Sequence, residues 1–193
     1  HSHNEGRARD FSNTHGIIHF SSDLAVLLER HEVRCVYVGN HPRRHAETVA
    51  AALGAQKHVL CEAPLALHPA EATTLQRMAE QRGLVLAMNY SWRAGAALRR
   101  MHDLLAEETI GELLGGSIRN TSLLRREQHT WRLAPEGGGA LFVRTYQSAD
   151  AVQFLLHRSV RSVTASTNAP LRAGQVEEEI FGHFVCTGGL VVR

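Results

Sequence analysis

Three short apolar runs constrain this chain most: RCVYVG (34–39), KHVLC (57–61) and LVLAM (84–88). Each is nearly continuous and too short for a buried helix, the signature of strands covered on both faces in a parallel sheet. Helical spacing fills the gaps. Pro42 suits a first helical turn, Ala46, Val49, Ala50 and Leu53 fall at i, i+3, i+4 and i+7, and Gly54 stands where a helix ends. Pro69 opens a second helix with Ala72, Leu75 and Ala79 facing inward, and Gly83 stops it. Ahead of the first run, SSDLAVLLERHEV offers serine caps and a face of Leu24, Leu27 and Leu28. A β-α-β-α-β order with short connections predicts an α/β fold built on a doubly wound parallel sheet. Right-handed crossovers then line up the loops after Gly39, Cys61 and Met88 along the carboxyl edge, where such sheets bind ligands.

Beyond Trp92 the pattern changes. A helix carries Leu98, Met101 and Leu105; ELLGGSIRNTS reads as a strand with one wet face; GGGALFVRTYQSADAVQFLL reads as a glycine-rich entry to a long helix. SVRSVTAST alternates, and EEEIFGHFVC, Thr187-Gly188-Gly189 and LVVR make a hairpin. The second half is therefore α+β with an open, largely antiparallel sheet. We expect two partial domains, 1–93 and 94–193. A net charge of +2 without a basic run argues against nucleic-acid or membrane-surface binding. No apolar stretch reaches membrane-spanning length, and the first residues lack the apolar core of a signal peptide. Cys35, Cys61 and Cys186 are odd in number and well separated, which predicts buried free thiols in a reducing, cytoplasmic setting. The 13 histidines are scattered without metal-ligand spacing, so no metal site is expected.

Four segments, in order, resemble the Gfo/Idh/MocA family of glucose–fructose oxidoreductase and inositol dehydrogenase-like proteins. EVRCVYVGNHPRRH stands where that family has a buried strand, a Thr-Pro-Asn-like turn and a histidine. KHVLCEAPLAL resembles its K-H-V-[LF]-x-E-K-P-[LI]-A signature. TIGELLGGSI resembles the entry to its second domain, and WRLAPEGGGALFVRTYQSADAVQFLL its W-R…G-G-G-x-L-x-D-x-x-x-H-x-x-D helix. The wording of YVGN…HVLCEAPLAL…NYSWRAG is similar to 1,5-anhydrofructose reductase-like members. The resemblance implies a partial Rossmann domain binding NAD or NADP, hydride transfer on a sugar or polyol, and a second domain whose sheet mediates a homo-oligomer. No G-x-G-x-x-G, the turn that holds a dinucleotide's pyrophosphate, occurs in the sequence. We therefore expect the chain to start near the second strand of that fold, truncated at both ends.

Hydride transfer to a ketone needs a proton donor and a group that stabilises the forming alkoxide. The family's lysine of E-K-P is Ala63 here, and its helix Asp and His are Val143 and Gln147. None of the three can exchange a proton at useful pH, which implies a catalytically impaired chain or a non-catalytic, cofactor- or sugar-binding relative or interaction subunit. Tyr146 and Asp150 share the helix face with Val143 and Gln147 by i, i+3, i+4, i+7 spacing. They are either a substitute acid pair or a packing ring beside a structural carboxylate. Arg144 is expected to be a solvated charge, and His157 to sit at a helix end where a cation suits the dipole. By resemblance the cofactor-binding positions are Asn40, His41, His45, Glu62, Pro64, Asn89, Trp131 and Arg132. The competing readings are a solvated loop carboxylate for Glu62, a helix-terminus histidine for His45, and a core Trp beside a surface Arg for Trp131 and Arg132. Asn89 and Arg93 frame the passage between domains, and Gly137, Gly138 and Gly139 permit close backbone approach.

Overall fold

Strands β1 (Cys35–Val38), β2 (His58–Cys61) and β3 (Leu86–Met88) pair in parallel in the order β1-β2-β3, with Tyr37 opposite Leu60 and Leu60 opposite Ala87. The computed structural model describes residues 1–121, 123, 125, 130–135, 138–168 and 176–193, and divides into compact units His1–Met88 and Asn89–Arg193. In the first unit, α3 (His45–Gly54) and α4 (Pro69–Gln81) are the crossovers and pack on each other. Successive right-handed crossovers that advance in one direction lie on one face of a sheet. Val49, Ala52 and Leu53 of α3 and Leu75 and Ala79 of α4 meet Val38, Val59 and Cys61 in a single core. Val49 and Leu53 are wholly buried, each contributing about 1.5–3 kcal/mol of transfer free energy. Gly83, at φ 64°, takes the left-handed turn that ends α4.

Two details depart from the sequence reading here. The runs were expected to be buried on both faces, yet Cys35 and Tyr37 of β1 are exposed while Val38 is buried. β1 has a strand neighbour on one side only, and its outer face has no helix among the described residues of this unit, so alternate side chains meet water. Cys35 is accordingly an exposed thiol, whereas Cys61 and Cys186 are buried as expected. The cap of α2 (Leu24–Leu28) is Asp23, which accepts from the Ala25 amide at 2.9 Å; Ser21 instead accepts from the Asp23 amide. Upstream lies α1 (Glu5–His15), N-capped by Asn4 and ended by Gly16 in the left-handed region. Its polar sequence shows no apolar stripe, and only Ala8 and Ser12 are buried.

The second unit holds α5 (Ala96–Ala106), α6 (Tyr146–Leu156) and an antiparallel sheet β4-β5-β6 (Val160–Thr167, Ile180–Cys186, Val191–Val192). The hairpin turn is Thr187–Gly189, with Gly188 and Gly189 at positive φ. Val152, Cys186, Leu190 and Val192 form its core. ELLGGSIRNTS forms no full strand, but among its described residues Gly116 bridges Val192 in parallel. The pairing runs on past that bridge: the Arg193 amide donates to the Gly116 carbonyl at 3.1 Å and the Ile118 amide to the Arg193 carbonyl at 2.7 Å. Met101 of α5 is half exposed and lines an apolar groove of about 240 Å³. The expected long helix is interrupted: Leu141–Thr145 is a π-helical turn leading into α6, and Thr145 Oγ1 donates to the Ala140 carbonyl five residues back.

Candidate functional site

In the first unit the carboxyl edge of the parallel sheet is built by two loops. Residues 39–41 follow β1, and Glu62, Ala63 and Pro64 follow β2. The Glu62 amide donates to the Val38 carbonyl at 2.8 Å, extending the ladder one residue past β2. The Glu62 carboxylate accepts from the Tyr37 hydroxyl. Alternation sends Tyr37 to the uncovered face of β1, where its phenol reaches the neighbouring strand's end. His45, 1% exposed, lies beneath both loops: Nδ1 faces the Pro64 carbonyl at 2.6 Å and Nε2 the Asn40 carbonyl at 3.0 Å. Both ring nitrogens face backbone carbonyls, so a single N–H donates to one loop while the ring packs beneath both, and neither nitrogen is presented to a ligand. Asn40 Nδ2 donates to Thr48 Oγ1 at 2.8 Å. His41 caps the 3-10 turn Pro42–Arg44 by accepting from the Arg43 amide. Burial, then Arg43 and His45, hold its imidazole below the ordinary histidine range. Ala63 presents only a methyl group at this edge. A separate cavity of about 330 Å³ is lined by Asp23, Arg44, Glu47 and Thr48 among others, and none of the sequence-predicted residues lines it.

In the second unit the polar cluster is carried by the 3-10 turn Ser91–Ala94 and by α6. Asp150, 6% exposed, accepts from Arg93 Nε at 2.8 Å and Nη2 at 2.5 Å, a bidentate pair. Donating to the Asp150 carboxylate raises the Arg93 guanidinium above its ordinary range. The Arg93 guanidinium also lies 5.6 Å from the Tyr90 ring centre and 5.3 Å from that of Phe154. Burial, then the Asp150 charge, raise the Tyr90 phenol, against a lowering by Arg93, so it is kept neutral as a donor. Tyr146 stands 6.2 Å from Tyr90, ring centre to ring centre. Gln147 Nε2 donates to Ser91 Oγ at 3.4 Å. Trp131 and Arg132 lie on a 3-10 turn, with the guanidinium 4.6 Å from the indole centre. Gly138 shows why the glycine run is glycine: a Cβ there would lie 2.5–2.6 Å from the carbonyl oxygens of Ala134, Arg132 and Trp131. Gly139 sits at φ 85° against the Glu177 carboxylate, while Gly137 lies outside the described residues.

Arg144 is not the solvated charge expected. It is partly buried, and its Nε is buried with no hydrogen-bond partner. His157 does end α6, at φ 47°, with Nε2 against His102 Nε2. Among the described residues no group of three or more His, Cys, Asp or Glu is arranged to hold a metal ion, and no helix is long and apolar enough to cross a membrane. Tyr37, Tyr90 and Ser91 were not singled out from sequence. Tyr37 was readable only through strand alternation, and Tyr90 and Ser91 only through proximity to a helix more than fifty residues away.

Comparison with known proteins matches residues 1–90 to the model described as "Oxidoreductase family, NAD-binding Rossmann fold" and residues 98–193 to the model "GFO/IDH/MocA C-terminal domain". A 1,5-anhydro-D-fructose reductase of Ensifer adhaerens is 31% identical over 190 residues, covering 97% of this chain and 57% of the relative. A probable dehydrogenase from Thermotoga maritima superposes with a TM-score of 0.87 at 19% identity, over 99% of this chain and 58% of that one. A levoglucosan dehydrogenase solved with NADH and levoglucosan gives 0.86 at 22% identity, over 99% and 55%. The chain thus spans about half the length of the relatives it matches.

Proposed function

The chain belongs to the Gfo/Idh/MocA oxidoreductase family, and from that premise we propose that it is part of an NAD(P)-dependent sugar or polyol oxidoreductase whose acid–base chemistry is impaired. The observation that carries the cofactor half is the pinned carboxylate at the sheet's carboxyl edge. Glu62, oriented by Tyr37, is an acceptor for a ribose or amide group, and Asn40, His41 and Pro64 complete that edge. These residues fit part of a dinucleotide, with His45 acting beneath them as a brace. Asn89, Trp131 and Arg132 join the set on the strength of the family resemblance. When bound, the nicotinamide supplies or accepts the hydride. The substrate class follows relatives such as the anhydrofructose reductase and the levoglucosan dehydrogenase.

The observation that carries impairment is Gln147, whose amide donates to Ser91 and cannot deliver a proton. Ala63 and Val143 remove the other two ionisable groups. Asp150 is held by Arg93, which leaves Tyr146, beside the neutral phenol of Tyr90, as the remaining donor on that face. Loss of positioned general acid catalysis costs about 10²–10⁴-fold in rate. By the same resemblance the β4–β5 sheet, whose exposed apolar residues include Val163 and Phe181, binds a second copy, which sedimentation analysis tests.

The test is a fluorescence titration of the purified, folded chain with NADH and NADPH. Saturable micromolar binding supports the reading; a folded chain that binds neither refutes it for this polypeptide. Impairment is tested by A63K, V143D and Q147H together, which should raise NADH-dependent reduction of 1,5-anhydrofructose by about 10² or more. No gain would show that the three positions are not the catalytic ones.

A further inference from the structure

We propose that Arg144 is an oxyanion receptor, and that the sugar handled by this chain carries a carboxylate or a phosphate. Among the described residues only two buried side-chain polar atoms lack a partner, Asn120 Nδ2 and Arg144 Nε. Of these only Arg144 is charged. Nine in ten or more buried polar groups are satisfied in native structures, and an orphan marks strain, a catalytic role, or a site for a water or an ion. The cost is largest when the orphan belongs to an ion.

The same unit shows what that edge of a guanidinium looks like when satisfied. Arg93 uses Nε and Nη2 as a fork around the two oxygens of Asp150, at 2.8 and 2.5 Å. Arg144 Nε is withdrawn from water with no partner on it. A planar fork matches two oxygens of a carboxylate or phosphate and suits nothing neutral as well. Its position adds a second, independent observation. Arg144 stands on the π-helical turn Leu141–Thr145, a rare geometry that concentrates at functional sites. It is the residue directly after Val143, one turn before Gln147. An α-helix would fix Arg144 by its ordinary periodicity, whereas the wider turn re-aims it.

That the anion is carried on a sugar rests on the family reading above; that Arg144 receives an anion does not. The experiment separates the two. Thermal unfolding of the chain is followed at fixed ionic strength with glucose 6-phosphate, glucuronate, glucose and inorganic phosphate, in wild type, R144M and R144K. The expected result is a rise in Tm with one of the two sugar anions and none with glucose. The larger response identifies phosphate or carboxylate as the substituent. R144M should abolish it, and R144K, which keeps the charge but not the fork, should weaken the apparent affinity about tenfold or more. R144M without ligand should unfold at a higher temperature than wild type, because an unpaired partly buried cation has been removed. Equal responses to inorganic phosphate and the sugar anions would overturn the substrate assignment. A response that survives R144M, or no response to any anion, would overturn the receptor. A less stable R144M would show that the guanidinium is already satisfied and overturn it as well. NADH titration of R144M should match wild type, so a failure of the family reading is seen separately.

Discussion

The Arg93–Asp150 pair predicts an asymmetry that can be measured. Its two side chains differ in exposure, 46% for Arg93 and 7% for Asp150. Removing one partner of a buried pair costs about 3–5 kcal/mol, because the survivor is left uncompensated. R93A strands a carboxylate that has no room to reach water. The outer half of the pair is wet, so the expected loss is discounted to about 2–3 kcal/mol. Lost packing of the guanidinium over Tyr90 and Phe154 adds to it. D150A frees an arginine that already has half its surface in solvent and can swing out, so its loss is about 1 kcal/mol. The double variant should be more stable than R93A alone, since the stranded charge is gone. Both tryptophans of the chain, Trp92 and Trp131, lie in the unit that holds the pair. Urea unfolding followed by tryptophan fluorescence therefore reports it directly. The raised Arg93 guanidinium contributes stability that is lost only on passing above its already high pKa, so the R93A deficit should stay flat across neutral and mildly alkaline pH. If D150A were as damaging as R93A, or the double variant worse than both, the carboxylate would have other support and the reasoning would fail.

Three further outcomes follow from the first unit and the glycine run. His41 has a folded-state pKa below its ordinary value of 6.5, so the unfolded chain takes up the proton first; this share of stability is complete above that pH and is lost as pH falls through the folded pKa. H41Q should flatten the acid limb of stability measured by far-ultraviolet circular dichroism, and an unchanged slope would remove the burial argument. Burial, then the Glu62 charge, push the Cys61 thiol up to about 12, and Cys186 is buried, while Cys35 is exposed; a thiol-exchange titration of the native chain should find one fast cysteine of three, and two fast ones would contradict it. G138A drives a methyl into three backbone carbonyls that cannot rotate away. It should destabilise by about 2–3 kcal/mol, and a change within about 0.5 kcal/mol, the range of an ordinary surface substitution, would mean the run can shift.

Legibility from sequence followed the range of the forces involved. Helices α3 and α4 were readable because periodicity, Pro42, Pro69, Gly54 and Gly83 are local signals that agree with one another. β5 and β6 were readable because Thr187-Gly188-Gly189 encodes its own turn. The cap of α2 was assigned to the preceding serines rather than Asp23 because serine and aspartate compete for the same role and only the fold decides between them. ELLGGSIRNTS has strand-like composition, and among its described residues the fold uses that only over residues 116–118, which hydrogen-bond along residues 191–193. The π turn left no pattern: LFVRT is as compatible with an α-helix, and the extra residue shows only in the backbone of the folded chain.

The candidate sites divide along the same line, and this bears on what the substitutions at Ala63, Val143 and Gln147 mean. The two carboxylates that the family pattern retains are each tied to a neighbour that no motif names, Glu62 to Tyr37 and Asp150 to Arg93. Such a carboxylate contributes to the fold whether or not chemistry occurs beside it. The three altered positions are different in kind. A methyl, an isopropyl and an amide add nothing to either network beyond the weak Gln147–Ser91 contact. A proton-transfer group at any of them would serve a reaction and little else, so its replacement leaves the fold's interactions intact. That separates two readouts. Restoring the ionisable groups should change turnover with little change in stability, whereas breaking the Arg93–Asp150 pair should change stability first. The positions that respond in turnover alone are the ones that report function.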